Sequence, residues 1–331
     1  MEITDKRIMV TGGAGFIGSH LVDALAEDNY VLVVDDFSAG SKENLKQHQS
    51  KDNVRIVEAD IRDKQVIHSL ARDIDIIYHL AAACLRISIN KPEMVHEVNA
   101  TGSLNTLEAA LNNQVKRVVY VSSSEVYGSA KQKCMNEEHP LDPTTPYGAS
   151  KLAGELYARA FHHTYHLPVI VVRPFNTYGP REYFTSVHGE VIPRFIARAA
   201  NGLSPVIFGD GKQTRDFTYI SDSVAGIISA SKCDELIGDC VNVARGSEVS
   251  INEIAQIVLQ EFEREDLKPE YHPPRPGDVR RHFADISKAK RTLGFSPKVD
   301  IRDGIGCYVE WLKAEHVDLK QALNGVPVQN W

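Results

Sequence analysis

The chain has 331 residues, 43% of them apolar and 24% charged, and a formal net charge of −7. That length and composition suit one large α/β domain, or two packed domains, of a globular protein. No run of five or more basic residues exists, which argues against nucleic acid as a main partner, because affinity for it comes largely from Lys and Arg neutralising phosphates.

The chain enters its first strand almost at once, in "MEITDKRIMVTGG". No basic segment followed by a long apolar stretch precedes it, so no secretory signal is expected. "RIMVTG" (7–12) reads as a strand and 16–27 as a helix. "VLVVDD" (31–36) and "VRIVEAD" (54–60) read as strands, with a helix over roughly 63–72. "DIIYHLA" (75–81) is a strand, about 93–112 a helix, and "RVVYVSS" (117–123) a strand. Residues 147–166 form another helix and "PVIVVRP" (168–174) another strand. These runs are apolar on both faces, as in buried parallel strands covered by helices. Their alternation with helices predicts a Rossmann-type doubly wound parallel sheet.

From about residue 175 the pattern changes. Gly, Pro and Arg cluster in "RPFNTYGPRE", "FGDGKQTRDF" and "PPRPGDVRR", with helical stretches near 190–201, 221–232, 251–264 and 303–315. This predicts a smaller C-terminal α/β domain over 176–331 against a first domain over 1–175, with segments free to cross back. No apolar run approaches the ~20 residues of a membrane helix. The five cysteines, Cys84, Cys134, Cys233, Cys240 and Cys307, are scattered, odd in number and form no CxxC pair. Reduced thiols in a cytoplasmic protein are the expectation.

"VTGGAGFIGSHL" places Gly12, Gly15 and Gly18 at three-residue intervals between a strand and a helix. Such a turn brings backbone N–H groups and a helix N-terminus to a pyrophosphate, where side chains would block the approach. Asp35 closes the second strand, where a carboxylate accepts hydrogen bonds from ribose hydroxyls. It also repels a 2′-phosphate, which favours NAD over NADP. Asp60, in "EAD", is placed to meet the adenine.

Tyr147 and Lys151 stand at i and i+4, on one helical face. A free tyrosine has a pKa of about 10; a nearby ammonium and a nicotinamide cation favour tyrosinate. A serine at the end of "RVVYVSS" is able to hydrogen-bond the same substrate oxygen. Together they predict proton transfer by Tyr147 coupled to hydride transfer at the adjacent carbon.

With these motifs in this order, the chain resembles the extended short-chain dehydrogenase/reductase family of nucleotide-sugar epimerases, dehydratases and decarboxylases. The resemblance spans nearly the whole chain. It rests on "TGGAGFIGSHL", "DIRD", "HLAA", "VNATGSLNTLEAA", "SSSEVYG", "PYGASK", "RPFNTYGPR", "GDGKQTRDFTYISD" and "RPGDVRRHFADISKAKRTLGF". It implies catalytic roles for Ser123, Tyr147, Lys151 and Glu125. It implies an NAD site built from Gly12, Gly15, Phe16, Ile17, Gly18, Asp35, Asp36, Asp60, Ile61, Leu80, Ala81, Ala82, Ser122, Tyr147 and Lys151, with Asn99 and Pro174 lining the nicotinamide region. Asn176 and Arg215 resemble ligands of a nucleotide diphosphate, and Arg275 and Asp278 ligands of its nucleoside end; an arginine fork suits a diphosphate. The implied partners are a nucleotide-diphosphate sugar, most readily a UDP-hexose, and a second copy of the chain as homodimer. Arg181, Arg280 and Arg281 read as surface or salt-bridged arginines, and His188, in "TSVHGEV", as a polar loop residue. No HExxH motif occurs, and no metal site is inferred.

Glu125 divides the family's reactions. Members that eliminate water across C5–C6 carry an acid before this glutamate, which removes the C5 proton; here Ser124 stands in the acid's place. Ser–Glu resembles decarboxylases and some 4,6-dehydratases, whereas the C-terminal motif looks most like the short 4-epimerases. The favoured reading is a 4-epimerase. Hydride leaves C4 for NAD while Tyr147 takes the 4-hydroxyl proton, the 4-keto sugar turns its other face, and the hydride returns. The alternatives are a decarboxylase or 4,6-dehydratase using Glu125 and, as a minor reading, a non-catalytic NAD-binding regulator. That last reading would be marked by loss of Tyr147 or Lys151, and both are present.

Overall fold

The computed structural model describes residues 1–183, 189–320 and 323; His188 lies outside them. Its centre is a seven-stranded sheet. In spatial order the strands are Cys240–Val243, Val169–Pro174, Arg117–Val121, Ile76–His79, Arg7–Thr11, Tyr30–Asp35 and Val54–Glu58. Every neighbouring pair is parallel.

Period-two alternation sorts each strand's residues onto two faces. Ile8, Val10, Val31, Val33, Ile76 and Tyr78 pack on one side with Leu21, Val22, Val224 and Ile227, from helices Phe16–Leu25 and Ile220–Lys232. Met9, Leu32, Val34, Ile77 and Val118 pack on the other with Ile67, Leu107, Ala158 and Phe161. Both faces of the central strands are covered, which is why those strands are mostly apolar.

The chain runs outward from Arg7–Thr11 through the second and third strands, then returns to the other side at Ile76–His79. That reversal opens a crevice at the carboxyl ends of adjacent strands, where ligands bind in such sheets. Gly12 and Leu80 are the first residues beyond those two strands.

Helix 93–112 of the sequence reading is broken in the structure. Leu85–Asn90 is already helical, Pro92 restarts the helix after Lys91, and 97–102 form a π-helical turn before Ser103–Asn112. Gly102 lets this turn lie against Ile61: a Cβ there would come 2.5 Å from the Ile61 side chain. The helix carrying Tyr147 starts cleanly. Thr145 accepts from Gly148 N–H at 3.1 Å, and Pro146 takes the first helical position, where a missing N–H costs nothing.

After residue 175 the chain returns to the sheet once, as Cys240–Val243 beside Val169–Pro174. The rest forms short strand pairs and a third core. In that core Phe195, Ile196, Ile254, Val258, Ile305 and Tyr308 interlock, drawn from helices Val191–Ala200, Ile251–Glu261 and Ile301–Ala314. The packing holds Asn176, Arg215 and the 275–278 loop across from the sheet's carboxyl edge.

Candidate active site

One cleft of about 600 Å³ runs along the carboxyl edge of the sheet. Its wall includes Gly12, Gly15, Phe16, Ile17, Gly18, Asp35, Asp36, Asp60, Ile61, Leu80, Ala81 and Ala82 at one end. Ser122, Ser123, Glu125, Tyr147, Lys151 and Pro174 line it too, as do Asn176, Arg215, Arg275 and Asp278. Asn99 is the one expected site residue not on this wall. It is fully buried, and its amide is spent on the backbone of Ala83, at 2.8 and 3.1 Å, and on Ser150 Oγ, at 3.0 Å. Asn99 therefore fixes the loop after the fourth strand from behind.

The glycine turn fits a pyrophosphate cradle. Gly12 has φ +70°, and a Cβ on it would lie 2.7 Å from Ala81 N. A Cβ on Gly18 would lie 2.1 Å from Gly12 O. Neither position tolerates a side chain, so loop and helix close onto each other and leave the backbone bare on the cleft side. Asp35 ties the turn down: its carboxylate accepts from Ala14 N–H and Phe37 N–H, both at 2.9 Å. Burial pushes that carboxyl's pKa up, and the two N–H bonds oppose the rise. Asp36 accepts from Ser38. Asp60 is held by the Arg62 guanidinium at 2.5–3.1 Å, which keeps its pKa low.

Across the cleft, Ser123 lies two residues beyond the strand Arg117–Val121 and accepts from Glu125 N–H at 3.2 Å. The Ser123 side chain acts on the Tyr147 hydroxyl and pulls its pKa down, against the larger effect of burial. Lys151, almost fully buried, donates to Val121 O at 2.8 Å, and its ammonium lies 4.8 Å from the centre of the Tyr120 ring. Burial pulls the Lys151 pKa down to about 8, with Glu155 opposing. The sequence reading has Lys151 lowering the Tyr147 pKa. In the structure burial dominates and pushes it up, with only Ser123 pulling the other way among the leading influences. The lysine's charge is turned to the Val121 carbonyl and the Tyr120 ring.

The two arginines expected at the diphosphate and at the nucleoside end share a counter-ion. Arg215 Nη2 lies 2.7 Å and Arg275 Nη2 2.9 Å from the same Asp278 oxygen. Arg215 also donates to Val279 O at 2.8 Å. Asn176 donates to Asp216 O at 3.3 Å. Arg181, Arg280 and Arg281 are salt-bridged to Asp23, Asp210 and Glu248. Among the described residues no group of three or more His, Cys, Asp or Glu side chains is placed to hold a metal.

Sequence reasoning missed a second set of charges. Arg86, only 6% exposed, grips Glu190 through both terminal nitrogens at 2.6 and 2.7 Å. Arg194, Arg198 and Glu182 share that wall. The pairing joins residues 104 positions apart, and no local spacing signals it. A lone arginine inside "CLRIS" was the only available sign.

Comparison with known proteins agrees with this geometry. The family model described as GDP-mannose 4,6 dehydratase matches residues 9–307. The UDP-glucose 4-epimerase of Mycolicibacterium smegmatis is 37% identical over 313 residues, covering 93% of this chain and 98% of that protein. The solved UDP-N-acetylglucosamine 4-epimerase from Methanobrevibacter ruminantium M1, in complex with UDP-N-acetylmuramic acid, superposes with a TM-score of 0.88 at 37% identity, covering 94% of this chain and 99% of that one. A dTDP-glucose 4,6-dehydratase from Streptomyces venezuelae, solved with NAD and TYD bound, gives 0.88 at 33% identity, covering 94% and 98%.

Proposed function

Because this chain belongs to the extended short-chain dehydrogenase/reductase family of NAD-dependent nucleotide-sugar epimerases and dehydratases, we propose that its reaction is epimerisation at C4 of a nucleotide-diphosphate hexose, most readily a UDP-hexose. The glycine turn and Asp35 hold NAD, which when bound accepts a hydride from the sugar and returns it. Tyr147 takes the 4-hydroxyl proton and gives it back, Ser123 orients that hydroxyl, and buried Lys151, one helical turn on, is the cationic member of the set. Arg215 and Arg275 face the diphosphate and nucleoside, with Asp278 between them.

The observation that carries epimerisation over elimination is Ser124 beside Glu125. Loss of water across C5–C6 needs a base at C5 and an acid at the departing hydroxyl. Ser124 is buried, and a serine hydroxyl is no acid at neutral pH. Of the nearby carboxyls on the wall, Glu190 is gripped by Arg86. Decarboxylation needs no such acid, and Ser–Glu also fits it, so it stands as the second reading.

Product analysis in D₂O separates these outcomes. With a panel of UDP-, dTDP-, GDP- and CDP-sugars, the expected result by NMR is inversion at C4 and no deuterium at C5 or C6. Glu125→Gln should keep substantial activity, because an amide still hydrogen-bonds a hydroxyl. Deuterium at C5, with activity lost in the Gln variant, would replace epimerase by decarboxylase or dehydratase.

A homodimer is supported by the outer face of helix Pro146–Tyr165, where Leu156 is 51% and Tyr157 43% exposed. Leu156→Lys is expected to yield monomers in sedimentation velocity, and an unchanged mass would discard that face. Among the described residues no helix is long and apolar enough to cross a membrane. The five free cysteines support a cytoplasmic setting.

A further inference from the structure

His282 lies directly behind Glu125 and belongs to none of the groups assigned above. It is fully buried. Its Nε2 is 2.9 Å from the Ser124 carbonyl oxygen. A carbonyl only accepts, so Nε2 carries the proton. Burial and the Arg215 charge pull the His282 pKa down to about 3, so the ring is neutral at working pH. The proton on Nε2 then leaves Nδ1 as a bare lone pair.

That lone pair has no hydrogen-bond partner and no access to solvent. Its nearest carboxyl is Glu125, whose Oε1 is 3.9 Å away. A carboxylate cannot satisfy it, because two acceptors repel. A carboxylic acid can, after an approach of about 1 Å to reach hydrogen-bond distance. A buried unsatisfied polar atom is costly, so the state that satisfies it is favoured.

We propose that Glu125 and His282 form a one-proton pair, in which the Glu125 carboxyl keeps its proton and presents it to His282 Nδ1. His282 is then the positioning residue for Glu125. The surrounding charges are compatible with a neutral carboxyl. Arg215 and Arg275 face Glu125 and favour its ionised form, but both forks are turned onto Asp278. Asp278 and Glu190 oppose ionisation, as does burial, the largest influence on this group. Tyr147 and Glu125 both line the cleft. His139 also acts on His282 and helps to lower its pKa.

One consequence rests on the epimerase reading: a neutral Glu125 donates to or accepts from a sugar hydroxyl but does not remove the C5 proton. The pair itself is tested without substrate, so its failure is distinct from a failure of that reading. The measurement is infrared difference spectroscopy on the full-length NAD-loaded enzyme between pH 5 and 9, following the carbonyl stretch of a protonated carboxyl group. The expected result is a band present at pH 7 and missing in Glu125→Gln. His282→Gln keeps a donor for the Ser124 carbonyl and removes the lone pair facing Glu125. It should lower the pH at which the band disappears by on the order of one unit. His282→Asn keeps an acceptor near the Nδ1 position and should leave that pH close to its original value. Absence of a Glu125-dependent band at pH 7 overturns the pair. Equal shifts in both histidine variants also overturn it, because they would mark a merely structural effect. If neither histidine variant folds, the comparison of the unmodified enzyme with Glu125→Gln still tests the proton on Glu125, and its absence overturns the pair.

Discussion

Tyr147→Phe is expected to lower turnover by about 100-fold or more, the usual scale of a lost general acid–base group, with folding and NAD binding intact. The change deletes one oxygen and keeps the ring. Tyr147 lines the cleft from the helix Pro146–Tyr165, where Ser123 is the side chain that pulls its pKa down. Helix capping by Thr145 and the Lys151–Val121 bond do not involve the deleted oxygen, so the scaffold has no reason to move. Burial holds the Tyr147 proton on in the ligand-free site. The hydroxyl therefore starts as a donor, and it becomes a base only when bound ligands change the charge around it. The check is steady-state turnover beside a cofactor-binding titration. Near-normal turnover in the Phe variant would take Tyr147 out of the mechanism.

How far the site was readable from sequence follows from which contacts are local. Six of the seven central strands were readable as short, mostly apolar, β-branched-rich runs between turns, because burial within the sheet disfavours polar positions. The seventh, Cys240–Val243, is the short "CVNV" in a loop-rich stretch, and it carries a buried asparagine. Asn242 is polar there because it accepts from the Tyr127 hydroxyl at 2.8 Å, a partner 115 residues away. The glycine turn, Asp35 and the Tyr147–Lys151 pair were legible because their spacing is itself the chemistry. Asn99 was read as a cleft residue because its motif lies beside the nicotinamide region; only the fold shows that a π-helical turn directs its amide to Ala83. The Arg86–Glu190 grip and the His282–Glu125 approach join distant segments, and neither leaves a local pattern.

Beneath the catalytic helix lies the largest expected stability effect. Glu155, one turn beyond Lys151, and Arg173 are both fully buried and form a salt bridge. Glu155 also accepts from Ser122 Oγ at 2.7 Å, and Arg173 donates to the Tyr127 hydroxyl at 2.6 Å and to Glu137 O at 3.2 Å. The network ties the end of the strand Arg117–Val121 and the strand Val169–Pro174 to the helix that carries Tyr147. Glu155→Gln leaves the Arg173 charge buried without its partner, which costs about 3–5 kcal/mol. At ~2 cal/mol/K of unfolding entropy per residue, a chain this long should lose roughly 4–7 °C in Tm, read by circular dichroism. Replacing both partners by apolar residues, Glu155→Leu with Arg173→Met, should recover most of that loss, since no charge is then stranded. The two variants differ in stability but share a second effect. Glu155 is the group that holds the Lys151 pKa up against burial, so its removal lets that pKa fall further below the ordinary lysine range. Lys151 then loses its charge at a lower pH, and the alkaline limb of the rate profile should move to lower pH in both variants. A pH profile that recovers together with Tm in the double variant would show that Glu155 acts on the scaffold alone.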